Sequence, residues 1–161
     1  MNIQQATPYN LVEIAYLAKV CDSEMRLNGC IPYQELLHDL EQETSLGHIY
    51  LFRNEYATLG MICISNKEDP LAKLPESNQH PMFFIKYLLV HPHWKNQPVG
   101  TDMLAYVESL ARGLNIHLIK GDASSVNDRM IGVFEKSGFQ KTQEKFRSFQ
   151  KTPFYHFVKK F

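Results

Sequence analysis

The chain has 161 residues, in which 17 Lys and Arg residues balance 17 Asp and Glu residues. This length suits one domain over residues 1–161 with a sizeable core, and the balanced charge excludes a general basic field that would attract nucleic acid or an anionic membrane. The first residues lack signal-peptide features, no apolar run approaches about 20 residues, and the three cysteines form no Cys-x-x-Cys pair. We therefore expect a cytoplasmic protein with no membrane association.

Apolar spacing and capping residues predict a short strand and two helices in the first third of the chain. The predicted bounds are residues 2–6 for the strand, Thr7 to Val20 for the first helix and Pro32 to Gly47 for the second. The segment between the helices, Cys21 to Ile31, contains Asn28-Gly29 and predicts a loop.

Two strands follow, from His48 to Arg53 and from Ala57 to Ser65. The tight turn at Asn54-Glu55 predicts that they pair as a hairpin. After them, residues 66–81 carry three prolines and many polar residues without a period, which predicts a long surface loop.

Residues 83–112 predict a strand, a tight loop and a helix in succession. Phe83 to Val90 is an apolar, β-favouring run that stops at Pro92, and residues 101–112 have helical apolar spacing. Pro98 suits the first helical position, where its missing N–H would have no intrahelical partner. Because helix N-termini present unpaired N–H groups and a positive dipole end, the loop predicts an anion site.

The C-terminal part predicts three strands and one helix. The strand Ile116 to Gly121 is expected to run parallel to the strand at 83–90, through a right-handed crossover. A helix from Asn127 to Lys136 is expected to end at Gly138 as its C-cap. Alternating patterns at Phe139 to Phe149 and Phe154 to Lys160 predict two closing strands.

The loop sequence His91-Pro92-His93-Trp94-Lys95-Asn96-Gln97-Pro98-Val99-Gly100-Thr101-Asp102-Met103-Leu104 resembles the acyl-CoA loop of the GNAT superfamily of N-acyltransferases. The register fixed by His91-Pro92 and Met103-Leu104 places Lys95 at the family's Arg or Gln position and Gly100 at its last Gly. Pro98 replaces the first Gly and Asn96 stands where Gly is common. Since proline has no N–H, the pyrophosphate loses one donor there.

A second stretch, Ser124 to Phe139, is also similar to the family, which commonly has Asn at the start of this helix, Tyr seven residues later and then Gly-Phe. Here the Asn is Asn127, and Phe134 stands at the position of the Tyr. In many members that Tyr protonates the departing CoA thiolate, which Phe134 cannot do. Three alternatives are open: water protonates the thiolate, Tyr87 or Tyr155 does so, or the protein binds acyl-CoA without turning it over.

The resemblance implies a mixed α/β GNAT fold, with a mostly antiparallel sheet that is flanked by helices and splays near residues 88–90. It implies acetyl transfer from acetyl-CoA to a primary amine by direct attack in a ternary complex, and the alternative is a non-catalytic acyl-CoA-binding or regulatory module. The implied cofactor contacts are Leu88, Leu89, Val90, Lys95, Asn96, Gln97, Val99, Gly100, Thr101, Asn127 and Phe134. A backbone N–H at the splayed strand would meet the oxyanion.

No pattern identifies the acceptor or the general base. The resemblance implies that Cys21 to Ile31 and the start of the next helix shape the amine site, and small polyamines, amino acids, antibiotics and protein termini are all open as acceptors. The carboxylates and imidazole expected near the cleft are Asp22, Glu24, Glu35 and His38. Dimers are common in the family, so a homodimer is open as well.

Two other patterns have simpler explanations. His91 and His93 form a His-x-His pair without a third ligand at a recognisable spacing, so no metal is expected. Aromatic and basic residues alternate between Phe139 and Lys151, as on some nucleic-acid surfaces, but a half-buried hairpin produces the same alternation. With balanced charge, we expect no nucleic-acid partner.

Overall fold

The computed structural model describes residues 1–27, 32–66, 81–145 and 152–161. Seven strands and five α-helices lie within these residues. Their bounds are β1 Asn2–Gln5, α1 Leu11–Val20, α2 Asp22–Leu27, α3 Tyr33–Ser45, β2 Ile49–Arg53, β3 Thr58–Ser65, β4 Phe83–Val90, α4 Val99–Gly113, β5 Leu118–Ser124, α5 Asp128–Lys136, β6 Gln140–Lys145 and β7 Phe154–Lys160. None of the described helices is both long enough and apolar enough to cross a bilayer.

The strands form one mixed sheet in the order β1-β2-β3-β4-β5-β7-β6. The β1–β2, β2–β3, β5–β7 and β6–β7 pairs are antiparallel, and β4 pairs with β5 in parallel over Phe83–Ile85 and Ile119–Gly121. The predicted hairpin, the parallel pair and the mostly antiparallel α/β fold are therefore confirmed.

The loop prediction for Cys21 to Ile31 is wrong over most of its length, because Asp22–Leu27 forms α2. Two acidic residues, Asp22 and Glu24, lie in its first turn, where the helix dipole favours negative charge. Six residues are too few for an apolar period to show in the sequence. Residues 28–31 lie outside the described part of the chain.

Other differences concern the ends of elements. Helix α4 begins at Val99, one residue after the predicted start at Pro98, and β5 runs from Leu118 to Ser124 instead of from Ile116 to Gly121. Strand β6 ends at Lys145 within the described residues, so the predicted continuation to Phe149 lies outside them. Most of the predicted loop at 66–81 also lies outside.

The chain divides into two compact units, of which the first contains Met1–Cys63 and Tyr87–Met103. Its core is an apolar cluster of α1, α3, β2, β3 and the end of β4, with members Ile14, Leu17, Leu36, Leu40, Ile49, Leu51, Met61 and Leu89. At its edge, Glu13 accepts hydrogen bonds from Thr58 and Arg53. Burial raises the pKa of Glu13, but these bonds and the Arg53 charge outweigh it and hold that pKa below its usual value.

The second unit contains Ile64–Lys86 and Leu104–Phe161. Strands β5, β7 and β6 pair there along their lengths, and α5 packs on them through buried Met130 and Phe134. Glu108 of α4 forms ion pairs with Lys159 and Arg112. The hydrogen bond from Lys159, followed by that from Arg112, lowers the pKa of Glu108.

Candidate functional site

The predicted strand–loop–helix arrangement is present in the first unit. Strand β4 is followed by a 3-10 turn, Pro92–Trp94, and the His91 N–H donates to the Leu59 carbonyl at 2.8 Å. The Asp102 N–H donates to the Pro98 carbonyl at 2.9 Å, which fixes the first turn of α4. The first N–H groups of α4 have no intrahelical carbonyl to bond, as at every helix N-terminus. The turn can therefore donate hydrogen bonds to an anion.

Around this turn, the predicted cofactor residues differ in exposure. Asn96 and Gln97 are exposed, whereas Val99 and Gly100 are buried. The Thr101 hydroxyl donates to the Pro98 carbonyl at 2.9 Å. The exposed residues Asn96 and Gln97 can contact a ligand that arrives from solvent. The buried residues at the start of α4 hold the turn in place.

Leu88, Leu89 and Val90 are buried at the end of β4. The neighbouring strand approaches very closely here, because a Cβ added at Gly60 would lie 2.3 Å from the Leu89 carbonyl oxygen. Only glycine fits that contact without displacing the backbone. Burial in the core explains the apolar side chains at 88–90. A contact with the pantetheine arm would use the backbone atoms of these residues as well.

Lys95 does not stand alone beside the loop. Its Nζ lies 2.7 Å from Oε2 of Glu24 on α2, and the Glu24 side chain is only 8% exposed. Three residues earlier, the Cys21 thiol donates to the carbonyl of Val90 at 3.4 Å. Lys95, which the family resemblance implies as a cofactor contact, therefore forms an ion pair with Glu24.

Tyr87, one of the predicted alternative proton donors, has a carboxylate partner in the first unit. Its hydroxyl donates to Oδ2 of Asp39 on α3 at 2.6 Å, and both side chains are partly buried. The other alternative, Tyr155, lies in the second unit with the Lys141 ammonium 4.2 Å from its ring centroid. A tyrosine hydroxyl that is hydrogen-bonded to a carboxylate can relay a proton, so Tyr87 and Asp39 form a pair capable of proton transfer.

Phe134 is enclosed by aromatic rings in the second unit. Its ring stacks on Phe157 with centroids 4.8 Å apart, and it meets the edge of Phe139 at 5.1 Å. A Cβ added at Gly121 would lie 2.6 Å from its Cζ. The side chain is 1% exposed, so it is a core residue of this unit and has no hydroxyl to donate.

Asn127 is the N-cap of α5, as expected. Its Oδ1 accepts a hydrogen bond from the Met130 N–H at 3.1 Å, and the residue is buried. The helix ends at Lys136, and Gly138 follows it with the positive φ of +83° that a glycine after a helix commonly adopts.

The sequence of the chain matches the Acetyltransferase (GNAT) family over residues 11–139. The chain belongs to the GNAT family. A search of curated protein sequences gave no significant match.

Solved GNAT structures share the fold. One from Listeria monocytogenes has 18% identity and a TM-score of 0.77, covering 99% of this chain and 94% of that chain. A Salmonella typhimurium protein solved with its cofactor acetyl-CoA has 13% identity and a TM-score of 0.70, over 99% and 92% of the two chains. AAC(6′)-Ib, solved with paromomycin and acetyl-CoA, has 18% identity and a TM-score of 0.74, over 99% and 92%.

Some polar pairs of this GNAT chain were not predicted from its sequence. Asp39 was not singled out, and neither was the cross-strand pair in which His156 Nδ1 lies 2.6 Å from Asp122 Oδ1. Helical spacing places Asp39 beside the buried Leu36 and Leu40, which was the one available signal. Of the four base candidates predicted from the sequence, Glu24 contacts the predicted cofactor loop, through Lys95.

The histidines of the loop make local contacts. His91 Nδ1 accepts from the His93 N–H at 3.1 Å, and the His93 ring meets the edge of Trp94 at 5.0 Å. Among the described residues, no group of three or more His, Cys, Asp or Glu side chains could hold a metal ion.

Proposed function

We propose that this GNAT protein transfers an acetyl group from acetyl-CoA to a primary amine, by direct attack in a ternary complex. The observation that carries the proposal is the strand–loop–helix turn from Val90 to Asp102, in a chain that matches the family over residues 11–139. We also propose that residues 1–161 act as one domain, because the matched range includes parts of both units. A cytoplasmic location stays a prediction.

The start of α4 supports a pyrophosphate site at this turn. The N–H groups of Val99, Gly100 and Thr101 precede the first intrahelical bond of α4, and the positive end of the helix dipole adds to them. Pro98 supplies no N–H, so the site has one donor fewer than a glycine would give. In the proposed complex, Asn96 and Gln97 lie at the phosphates, and Leu88 to Val90 accompany the pantetheine arm.

The proposed reaction needs an unprotonated amine and a stabilised oxyanion. The amine nitrogen forms a bond to the thioester carbonyl carbon, the C–S bond breaks, and the thiolate leaves with the electron pair. A backbone N–H of the predicted splay at 88–90 would meet the developing oxyanion. Phe134 has no hydroxyl, and we therefore assign thiolate protonation to water. The thiolate leaves readily without an acid because its thiol has a pKa of about 8.5.

Asp39 and Tyr87 are the proposed acceptors of the amine proton. Tyr87 directly precedes Leu88 on β4, and its hydroxyl already makes a 2.6 Å hydrogen bond to Asp39. As the amine nitrogen attacks the thioester, its proton becomes acidic and would pass to the Asp39 carboxylate, directly or through the tyrosine oxygen. The proposed acceptors are small-molecule amines and peptide amines; AAC(6′)-Ib was solved in complex with one small-molecule amine, paromomycin.

A second candidate function is acyl-CoA binding without turnover, as a regulatory module. The enclosed, hydroxyl-free Phe134 favours it. The two functions differ in one observable, which is the release of free thiol from acetyl-CoA when an amine is added.

Thermal unfolding with and without acetyl-CoA tests the cofactor site first. At about 100 times the dissociation constant, linkage predicts about 2.7 kcal/mol of stabilisation, which is a midpoint rise of roughly 5–10 °C for this size. Gly100→Trp should abolish the rise, because Gly100 is buried in the first turn of α4. Gly113→Trp is the matched control at the other end of the helix, where an added Cβ meets nothing within 4 Å.

Thiol release then separates the enzyme from the binding module. The assay supplies acetyl-CoA with paromomycin, spermidine or an N-terminally free peptide, each in turn. Release above the amine-free rate supports acetyl transfer, whereas a thermal shift without release from any of them supports the binding module. A wild-type protein that shows no thermal shift at millimolar acetyl-CoA contradicts both functions.

A further inference from the structure

Two contacts in the first unit join the start of α2 to the segment that follows β4. The Cys21 thiol donates to the carbonyl of Val90, the last residue of β4, and Glu24 pairs with Lys95 in the loop. Cys21 and Glu24 are three residues apart, as are residues on one face of a helical turn. The start of α2 thus contacts both the end of β4, at Val90, and the loop that follows it, at Lys95.

The two side chains of the Lys95–Glu24 pair differ in burial, and this difference bears on whether Lys95 can bind a phosphate. The Glu24 side chain is 8% exposed and that of Lys95 is 25% exposed. A phosphate that takes the ammonium would separate it from a carboxylate that stays buried. Since the nearby buried carboxylate would lose the favourable charge of the ammonium, we expect Lys95 to stay with Glu24.

We propose that Lys95 is a positioning residue that acts through Glu24, and that it does not bind the phosphates of acetyl-CoA itself. This inference rests on the proposed function and changes the role that the sequence resemblance gives to Lys95. The ammonium fixes the loop on α2, and the backbone N–H groups of Val99 to Thr101 meet the pyrophosphate. The loop geometry, and with it the affinity for acetyl-CoA, then depends on a residue of α2.

Four variants distinguish positioning from direct contact: Lys95→Met, Glu24→Gln, the double variant of both, and Lys95→Arg. Each is measured for its unfolding midpoint and for its acetyl-CoA dissociation constant. Positioning predicts that Lys95→Met weakens binding by about tenfold and lowers the midpoint, because Glu24 loses its ammonium while buried. The double variant should recover most of both losses, and Lys95→Arg should bind within about threefold of the wild type.

Direct contact predicts a different pattern. The double variant would then bind as weakly as Lys95→Met, and Glu24→Gln alone would bind more tightly than the wild type, because it releases the ammonium to the phosphates. Either result would overturn the positioning role. The controls are Lys136→Met and Glu41→Gln, two exposed charges whose removal should change neither quantity.

Failure of the inference is distinguishable from failure of the proposed function. If the wild type does not bind acetyl-CoA, the proposed function is wrong. The assignment of the pyrophosphate to the N–H groups of Val99 to Thr101 is then wrong as well. If the wild type binds and the effects of the two single variants simply add, the positioning role alone is wrong.

Discussion

Replacing Gly121 by alanine should destabilise the second unit through a clash with Phe134. The new Cβ would lie 2.6 Å from Cζ and 2.9 Å from Cε1 of that ring, whereas carbon atoms in contact prefer about 3.5–4.0 Å. The ring has little room to withdraw, because it stacks on Phe157 and meets the edge of Phe139. Either the strand or the aromatic cluster must therefore shift.

Two opposing effects set the size of the change. Forcing one extra carbon into a packed core costs about 1–3 kcal/mol, whereas exchanging glycine for alanine within a strand contributes about 0.5–1 kcal/mol in the other direction. The net loss should be about 1–2 kcal/mol. For a chain of this length, that is a midpoint decrease of roughly 2–8 °C.

The assay is thermal or urea unfolding of Gly121→Ala in two backgrounds, wild type and Phe134→Leu. Leucine lacks the Cζ and Cε1 atoms that make the contact, so Gly121→Ala should be neutral or slightly stabilising in that background. The coupling between the two positions should be at least about 1 kcal/mol. Gly132→Ala on α5 is the matched control, where the added Cβ meets nothing within 4 Å and should stabilise the helix by up to about 1 kcal/mol.

Equal losses in the two backgrounds would refute the reasoning, because the cost would then not come from the Phe134 ring. A stabilising Gly121→Ala in the wild-type background would refute it as well. In that case the aromatic cluster yields more easily than its contacts indicate.

Three further changes test the site and the stability of the units. Phe134→Tyr should lower the unfolding midpoint without raising kcat, because a hydroxyl on Cζ would press against β5 at Gly121; a rise in kcat would show that the hydroxyl reaches the thiolate. Glu13→Gln should destabilise the protein at pH 7, because the lowered pKa of Glu13 stabilises the folded state. This contribution is complete above a pH of about 4.5, the usual pKa of the unfolded carboxyl, and is lost as the pH falls through the lower pKa of the folded state; a difference from the wild type that is independent of pH would contradict this. Asn127→Ala should cost about 1 kcal/mol by removing the N-cap of α5, and Asn127→Ser should restore that stability; the cofactor contact that the resemblance implies for Asn127 predicts weaker acetyl-CoA binding in both variants, and unchanged affinity would contradict that contact.

Elements with a strong local signal could be predicted from the sequence. The bounds of β4 agree with the apolar run from Phe83 to Val90, and Asn127 and Gly138 cap α5 as expected. The loop between β4 and α4 was placed for the same reason, since a proline stop and helical spacing are read from neighbouring residues. Helix α2 was missed because six residues carry too little of a 3.6-residue period to be distinguished from a loop.

The sequence by itself therefore determined the order of the elements other than α2, the family resemblance and the place of the loop between β4 and α4. Tertiary structure alone decided the partners of the charged and aromatic side chains: Glu24 on Lys95, Asp39 on Tyr87, and the rings around Phe134. Secondary structure follows from short-range backbone preferences, which adjacent residues display. A side-chain pair depends on which distant surfaces meet when the apolar core closes, and no local pattern in a single sequence records that meeting.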